Sequence, residues 1–274
     1  AVVEAIVAHP AVRRVNFTGS TRVGRIIAMT CAKYLKPVVL ELGGKAPMVI
    51  LDDANIEDAV NGAAFGCFAN SGQICMSTER IIVDQKIADE FARKFSDKAK
   101  NLPLGDPRKP EPVVLGSVIG MNTVEHCNAL IDDALSKGAK LLCGEKVNTT
   151  LMPATVLDHV TPAMRIYHEE TFGPVKCIVR VKGVEEAVAC ANDNEYGLSS
   201  AVFGGDIARA FNVARRIDSG ICHVNGPTVH DEAQMPFGGV KGSGMGRFGG
   251  KAGVAEFTEL RWITLQTTPR HYPF

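Results

Sequence analysis

Two residue types define the chemistry open to this sequence: a cysteine in a glycine-containing turn and a carboxylate at the end of an apolar strand. The cysteine is Cys75, in Asn70-Ser71-Gly72-Gln73-Ile74-Cys75-Met76-Ser77, set between two apolar segments. The carboxylate is Glu41, where Val38-Val39-Leu40-Glu41-Leu42-Gly43-Gly44-Lys45 runs into a Gly-Gly turn. A thiol nucleophile and a carboxylate base are the minimum parts for covalent acyl chemistry. Backbone amides in a Ser-Gly-Gln turn stabilise a thiolate first and an oxyanion later. Each residue also has a plainer use. Free cysteine often serves as a small buried hydrophobe, which suits Cys67 on the apolar face of a helix, and most strand-end carboxylates are simply salt-bridged.

Two further stretches carry candidate chemistry. Phe17-Thr18-Gly19-Ser20-Thr21-Arg22-Val23-Gly24 follows a strand and opens a helix, so its amides face any anion at the helix N-terminus; the alternative is an ordinary capped helix. It is not the GxGxxG dinucleotide fingerprint, because only Gly19 and Gly24 are present and no acidic residue sits at the ribose distance. His168-Glu169-Glu170-Thr171-Phe172-Gly173-Pro174 puts two carboxylates and a ring before a Gly-Pro turn, either a solvated rim or a grip for a sugar diol. No histidine is near Cys75 in sequence, so a Cys-His pair would need His126, His168, His223 or His230 to arrive through folding. Val229, His230 and Phe237 hint at a pocket that takes a ring.

The elements that must position these residues alternate strand and helix. Strands are expected over Val12–Phe17, Pro37–Leu42, Ala46–Leu51, Arg80–Val83, Val175–Val181, Ala201–Gly204 and Ile221–Val224. Helices are expected over Arg22–Tyr34, Ile56–Phe68, Ile87–Lys100, Val118–Ser136, Val184–Asn192 and Ile207–Arg216. Ser20 or Thr21 caps the first of these helices and Asp52-Asp53-Ala54-Asn55 the second. This order implies an α/β fold with a mostly parallel sheet. Glu256–Thr267 alternates apolar and polar residues and reads as an edge strand, its partner supplied by another subunit. The glycine-rich run Pro236–Gly246 marks a boundary. The first residues have helical spacing without Met or an N-cap, as in a chain that begins inside an element.

Composition narrows the partners. The 274 residues are 46% hydrophobic and 22% charged, and thirty basic residues balance thirty acidic ones. No charge surplus points to nucleic acid or an anionic membrane surface. Eight scattered cysteines without a CxxC pair, and seven histidines not clustered with them, indicate a reducing cytoplasm and no metal site. No apolar run approaches the ~20 residues of a membrane span.

In order, Phe17-Thr18-Gly19-Ser20, Leu40-Glu41-Leu42-Gly43-Gly44-Lys45, Gly72-Gln73-Ile74-Cys75, Glu169-Glu170-Thr171-Phe172-Gly173-Pro174 and Pro236-Phe237-Gly238-Gly239 resemble the motifs of NAD(P)-dependent aldehyde dehydrogenases. The resemblance covers the whole chain. The endings Phe257-Thr258-Glu259-Leu260-Arg261-Trp262 and Thr268–Phe274 look most like the bacterial salicylaldehyde and vanillin dehydrogenase group. It implies Cys75 as nucleophile and Glu41 as the base that activates the cysteine or the deacylating water. It places Glu170 on the nicotinamide-side ribose, Phe172 near the nicotinamide, Gly19 and Ser20 near the pyrophosphate, and Val23 near the adenine. Asn225 and Phe237 match positions near the aldehyde pocket.

The implied reaction oxidises an aldehyde, aromatic by the subgroup likeness, with NAD as cofactor and NADP possible. What departs from the family is the missing first half, which supplies most of the dinucleotide fold, an oxyanion-hole Asn and a Lys for the adenosine ribose. On this likeness, residues 1–44 are the end of a dinucleotide-binding domain, 45–246 a catalytic domain and 247–274 an oligomerisation segment of a homo-oligomer, dimer or tetramer. Two other classes use the same residues: a cysteine acyl-transferase or thioesterase without hydride transfer, and a non-catalytic assembly module.

Overall fold

Strands in the middle of a sheet covered by helices on both sides are buried on both faces, and Ala46–Ile50 and Thr78–Asp84 are buried along their whole length, the second with Glu79 and Arg80 inside it. The computed structural model describes residues 2–274. Its first part contains α1 (Val2–Ala8), β1 (Val15–Thr18), α2 (Thr21–Lys33) and β2 (Val38–Glu41). Next come β3 (Ala46–Ile50), α3 (Ile56–Phe68), β4 (Thr78–Asp84), α4 (Ala88–Lys100) and α5 (Met121–Ser136). They are followed by β5 (Lys140–Cys143), β6 (Thr155–Asp158), α6 (Arg165–His168), β7 (Val175–Val181) and α7 (Gly183–Asn192). The last are β8 (Ser199–Phe203), α8 (Ile207–Ala214), β9 (Ile221–Val224), β10 (Gly244–Met245) and α9 (Gly250–Glu256).

Seven strands form one sheet in the order β5-β6-β7-β4-β3-β8-β9. Every pairing in it is parallel except β5 with β6. Side-chain alternation divides its core. Met48, Ile50, Ile81 and Val83 face α3 and α4, where Phe91 and Phe68 stack on Phe95. Val49, Leu51, Ile82 and Val202 face α5, α7 and α8. A smaller sheet, β1-β2-β10, pairs β1 with β2 in parallel and lets Gly244–Met245 return antiparallel along Glu41 and Leu40. The chain passes from one sheet to the other between Glu41 and Ala46, so both candidate catalytic residues lie by that crossing.

Several expectations need correction. Glu256, where the expected edge strand was to begin, instead closes α9, and residues 257–274 pair with no described strand of this chain. Alternation makes a strand only where an edge offers hydrogen bonds, and this segment pairs with none of the described strands; Trp262 and Leu265 are 90% and 87% exposed. Strand β1 starts at Val15 rather than Val12, since its parallel partner begins at Val38. Helix α5 starts at Met121, after the extended Gly120. Strands β5 and β6, each four residues long, were not expected; they flank a Thr- and Pro-containing loop that hides their pattern. Part of the rim before β7 is the single helical turn α6.

Candidate active site

The nucleophile turn is an unusual piece of backbone. Asn70, Ser71 and Gly72 are successive left-handed residues with φ of 52°, 57° and 73°. This costs non-glycine residues energy and persists only when surroundings enforce it. Here they do: Ser71 is buried, its Oγ donates to the Gly116 carbonyl at 3.2 Å and accepts from the Gly116 amide at 3.0 Å. Gln73 Oε1 accepts from the Ile119 amide at 2.8 Å, and Asn70 Nδ2 donates to the Gln73 carbonyl at 3.2 Å. A side chain at Gly72 would strike the Gly173 carbonyl, so the turn also packs on the segment that follows Glu170.

Cys75 follows this turn and is half-buried, while six of the other seven cysteines are fully buried and Cys222 is half-buried. Burial, then the charges of Glu41 and Glu170, push its thiol up to about 11, against a smaller downward pull from the Cys75 and Met76 amides that face the sulfur. The expected amide stabilisation is present but outweighed, so the resting group is a thiol. It needs a base to remove its proton.

Glu41 ends β2 and is 3% exposed, and neither carboxylate oxygen has a hydrogen-bond partner among the described residues. Burial first, opposed by Arg247 and assisted by Asp231, pushes its carboxyl up to about 7. A carboxylate at that value, with free lone pairs, is suited to general-base work near neutral pH. Gly44 brings the two residues together: a Cβ there would collide with the Cys75 carbonyl, so β3 can start against the nucleophile only with glycine at this position.

Glu170 completes the cluster. Its Oε1 accepts from the Gly44 amide at 2.8 Å, and burial pushes its carboxyl up to about 7 against that hydrogen bond. Below it lies an ionic layer that sequence reading missed. Glu79, buried in β4, accepts from Lys45 Nζ at 2.8 Å, Lys176 Nζ at 2.5 Å, Thr171 Oγ1 at 2.6 Å and the Thr171 amide at 2.9 Å. Burial alone would raise the Glu79 carboxyl, but the two ammonium groups hold it well below the carboxylate range. The only available signal was that Lys45, Glu79 and Lys176 are charges inside apolar strands, which must pair when folded.

The other expected residues are spread more widely. Gly19 lies next to Glu41, its amide donating to the Glu41 carbonyl at 2.9 Å. Ser20 is the N-cap of α2, its Oγ accepting from the Val23 amide at 3.4 Å, and Val23 packs on the small core around Val7, Ile27 and Cys31. Phe172 is 40% exposed with φ of 46°, next to the anchored Thr171. Phe237 lines a cavity of about 390 Å³ and precedes Gly238, whose Cβ position is 3.0 Å from Glu41 Oε1. Asn225 is not brought to that cavity: its amide exchanges hydrogen bonds of 3.0 and 3.1 Å with the Gly204 backbone at the far end of the sheet.

Other residues missed from sequence bind these pieces together. Thr228, fully buried, donates from Oγ1 to the Met76 carbonyl at 2.7 Å, fastening the loop after β9 to the nucleophile turn. Ser243 Oγ donates to the Gly43 carbonyl at 2.7 Å and accepts from the Gly197 amide at 3.0 Å. Single hydroxyls of this kind leave no trace in composition or periodicity.

A strand-end glutamate and a half-buried cysteine brought together at a glycine turn, with a second glutamate behind, make a site suited to covalent thiol chemistry with a carboxylate base. The aldehyde dehydrogenase family model matches residues 1–263, and the chain belongs to that family. It is 57% identical over 272 residues to a vanillin dehydrogenase of Pseudomonas fluorescens, covering 99% of this chain and 56% of that protein. It is 53% identical over 273 residues to a salicylaldehyde dehydrogenase of Pseudomonas putida, with 100% and 56% covered. A crystal structure of salicylaldehyde dehydrogenase from Pseudomonas putida G7 complexed with salicylaldehyde superposes with a TM-score of 0.98 at 52% identity, covering 100% of this chain and 56% of that one. The chain therefore spans about half the length of these relatives.

Proposed function

We propose that the protein oxidises an aromatic aldehyde to its carboxylic acid through a covalent adduct on Cys75, with Glu41 as the general base. The carrying observation is the pairing of a half-buried Cys75 thiol with a Glu41 carboxylate that is buried, unpartnered and raised to about 7. The kinship supports the substrate class: the relatives named above act on vanillin and salicylaldehyde, and a benzaldehyde dehydrogenase of Pseudomonas putida is 40% identical.

In this reading ionised Glu41 takes the thiol proton as Cys75 Sγ adds to the aldehyde carbon. The Cys75 and Met76 amides sit beside the sulfur. A nicotinamide dinucleotide fits the residues present in part: the capped N-terminus of α2 suits a phosphate, and Glu170, bonded to the Gly44 amide beside Cys75, stands where a diol could meet it. Gly19, Ser20, Val23, Glu170 and Phe172 are the residues that would hold NAD or NADP, and the bound cofactor supplies the hydride acceptor. Glu41, after passing the thiol proton to solvent, takes a proton from the water that attacks the Cys75 thioester; the thiolate leaves and the acid is released. Phe237 forms part of the ring site.

The domain reading is part of the same proposal: 1–44 as the end of a dinucleotide-binding unit, 45–246 catalytic, and 247–274 for assembly into a homo-oligomer, with the exposed Trp262 and Leu265 as its contacts. No described helix is long and apolar enough to cross a membrane. A cytoplasmic location is proposed from the eight unpaired cysteines.

The test is NADH formation by the full-length protein with benzaldehydes. Cys75→Ala should abolish it, and Glu41→Gln should lower kcat by about 10²- to 10⁴-fold and remove a rate limb that rises through about pH 7. Thioester hydrolysis without NADH would replace this reading with the acyl-transferase one.

A further inference from the structure

The Glu170 carboxylate is placed by a short piece of irregular backbone. Its Oε1 accepts from the Gly44 amide at 2.8 Å, and its Oε2 lies 2.8 Å from the point where a Cβ on Gly43 would stand. The carboxylate therefore rests on the Gly43-Gly44 turn, which itself abuts the Cys75 carbonyl. Neither glycine has a side chain to hold it there, so its position depends on how firmly the backbone of residues 169–171 is fixed.

No helix or strand supplies that fixing, since α6 ends at His168 and β7 begins at Val175. Side chains from other elements do it instead, one for each carbonyl. Lys45 Nζ, just before β3, donates to the Glu169 carbonyl at 2.6 Å, and Cys127 Sγ on α5 meets the Thr171 carbonyl at 3.7 Å. Between them, His126 Nε2 on α5 lies 2.9 Å from the Glu170 carbonyl. A carbonyl oxygen only accepts, so Nε2 carries the proton in this contact, in the Nε2–H tautomer and in the imidazolium alike. The Glu169 carboxylate is already held by Arg165 through two hydrogen bonds of 2.7 and 2.9 Å. Phe172, two residues beyond Glu170, is left-handed at φ 46°, a strained backbone that persists only while its surroundings hold it.

The three clamps differ in what else they do. Lys45 and Cys127 are fully buried, and Lys45 also pairs with Glu79, so both serve the core as well. His126 is half-buried, on a helix fixed independently by Val124, Cys127 and Leu130. A rigid donor on the backbone of a ligand-binding residue preorganises that residue's side chain.

We propose that His126 is a positioning residue: its Nε2–H, carried on α5, fixes the Glu170 carbonyl and so sets the carboxylate for the sugar diol of a nicotinamide dinucleotide. The assignment rests on the aldehyde dehydrogenase reading, in which Glu170 meets that diol, and adds the group that holds Glu170 in place.

The experiment titrates NAD calorimetrically into the full-length protein without aldehyde. His126→Ala should weaken NAD binding by about 3- to 30-fold, the loss of one hydrogen bond to a constrained carbonyl, while kcat at saturating NAD changes by less than about 3-fold. In the cofactor-free protein, the amides of residues 170–173 should exchange their hydrogens faster by a similar factor. His126→Gln, which keeps an N–H donor, should recover part of both effects, and His126→Phe repeats the loss if the Ala variant folds poorly. In a Glu170→Ala background His126→Ala should add little, because it acts through Glu170. Full additivity there, or affinity and exchange unchanged in the Ala and Phe variants, overturns the role of His126 and leaves aldehyde oxidation intact. A wild type that neither binds NAD nor forms NADH with an aldehyde removes both readings.

Discussion

The two ends of the seven-stranded sheet carry similar numbers of charges and use them in opposite ways. At the carboxyl ends of the strands, Asp52 and Asp53 after β3 pair with Arg209 at 2.7 and 3.0 Å, and Asp52 also meets Lys86 at 2.7 Å. Asp84 accepts from the Lys86 and Gly183 amides at 3.0 and 2.9 Å, and Asn225 clamps Gly204. Beside the amino ends, Glu41 at the close of β2 has no partner among the described residues, Cys75 is left protonated, and Glu170 is anchored by one amide yet raised to about 7. Open parallel α/β sheets usually bind ligands beyond the carboxyl ends of their strands. Here that end is neutralised, and the reactive groups gather at the other, where the residues entering β3, β4 and β7 point backbone N–H groups inward. Paired charge stabilises the fold, whereas unpaired buried charge is stability given up for reactivity.

The largest effect expected from breaking this contrast is at Glu79. It is a fully buried and fully paired carboxylate at the amino end, and it compensates two buried ammonium groups while holding Thr171 beside Glu170. Glu79→Gln leaves Lys45 and Lys176 buried without a counter-charge and should cost about 3–5 kcal/mol, read from the denaturant midpoint. Adding Lys176→Met removes one of those stranded charges and should recover a large part of the loss. A loss under about 1 kcal/mol in the single variant would show that water reaches the layer and that the amino end is not dry.

Glu41 should behave in the opposite sense. Its folded value of about 7 lies above the ordinary 4.5, so the folded chain holds this proton more tightly than the unfolded chain. Its contribution is therefore fully present below about pH 4.5 and is lost as pH rises through about 7. Glu41→Gln cannot ionise, so it should be more stable than the wild type by on the order of 1–2 kcal/mol at about pH 8, after allowance for solvent screening, and indistinguishable at about pH 4. Thermal melts at both pH values check this. A stabilising effect that is the same at both would assign the gain to packing instead of charge.

This division explains what the sequence could and could not reveal. Ala46–Ile50 and Val175–Val181 were legible as strands because burial on both faces makes a strand continuously apolar. Cys75 and Glu41 were legible because each interrupts such a pattern beside glycine. Their surroundings were not: Thr228, Ser243 and Glu79 act on partners far away in sequence, and no local period records a contact across 152 residues. Asn225 was matched to the aldehyde pocket by likeness alone, and its side-chain amide is held by the Gly204 backbone, a contact 21 residues away that no local period records either. The raised thiol value was equally invisible, because it depends on how deeply the turn is buried and on two carboxylates from other strands.

The smallest effect separates the two ends by sign. Hydrogen bonds from Lys86 and Arg209 lower the Asp52 carboxyl from 3.8 to about 2. Because the folded value is the lower one, this contribution is present above about pH 3.8 and is lost as pH falls toward 2, the mirror image of Glu41. The pair is partly solvated, with 70% of the Lys86 and 22% of the Asp52 side chain exposed, so screening limits its worth. Asp52→Asn should lose about 0.5–1 kcal/mol at neutral pH, and less in high salt. Chemical denaturation by urea at low and high ionic strength gives the value. A gain in stability at neutral pH would place Asp52 with Glu41 and end the distinction between the two edges of the sheet.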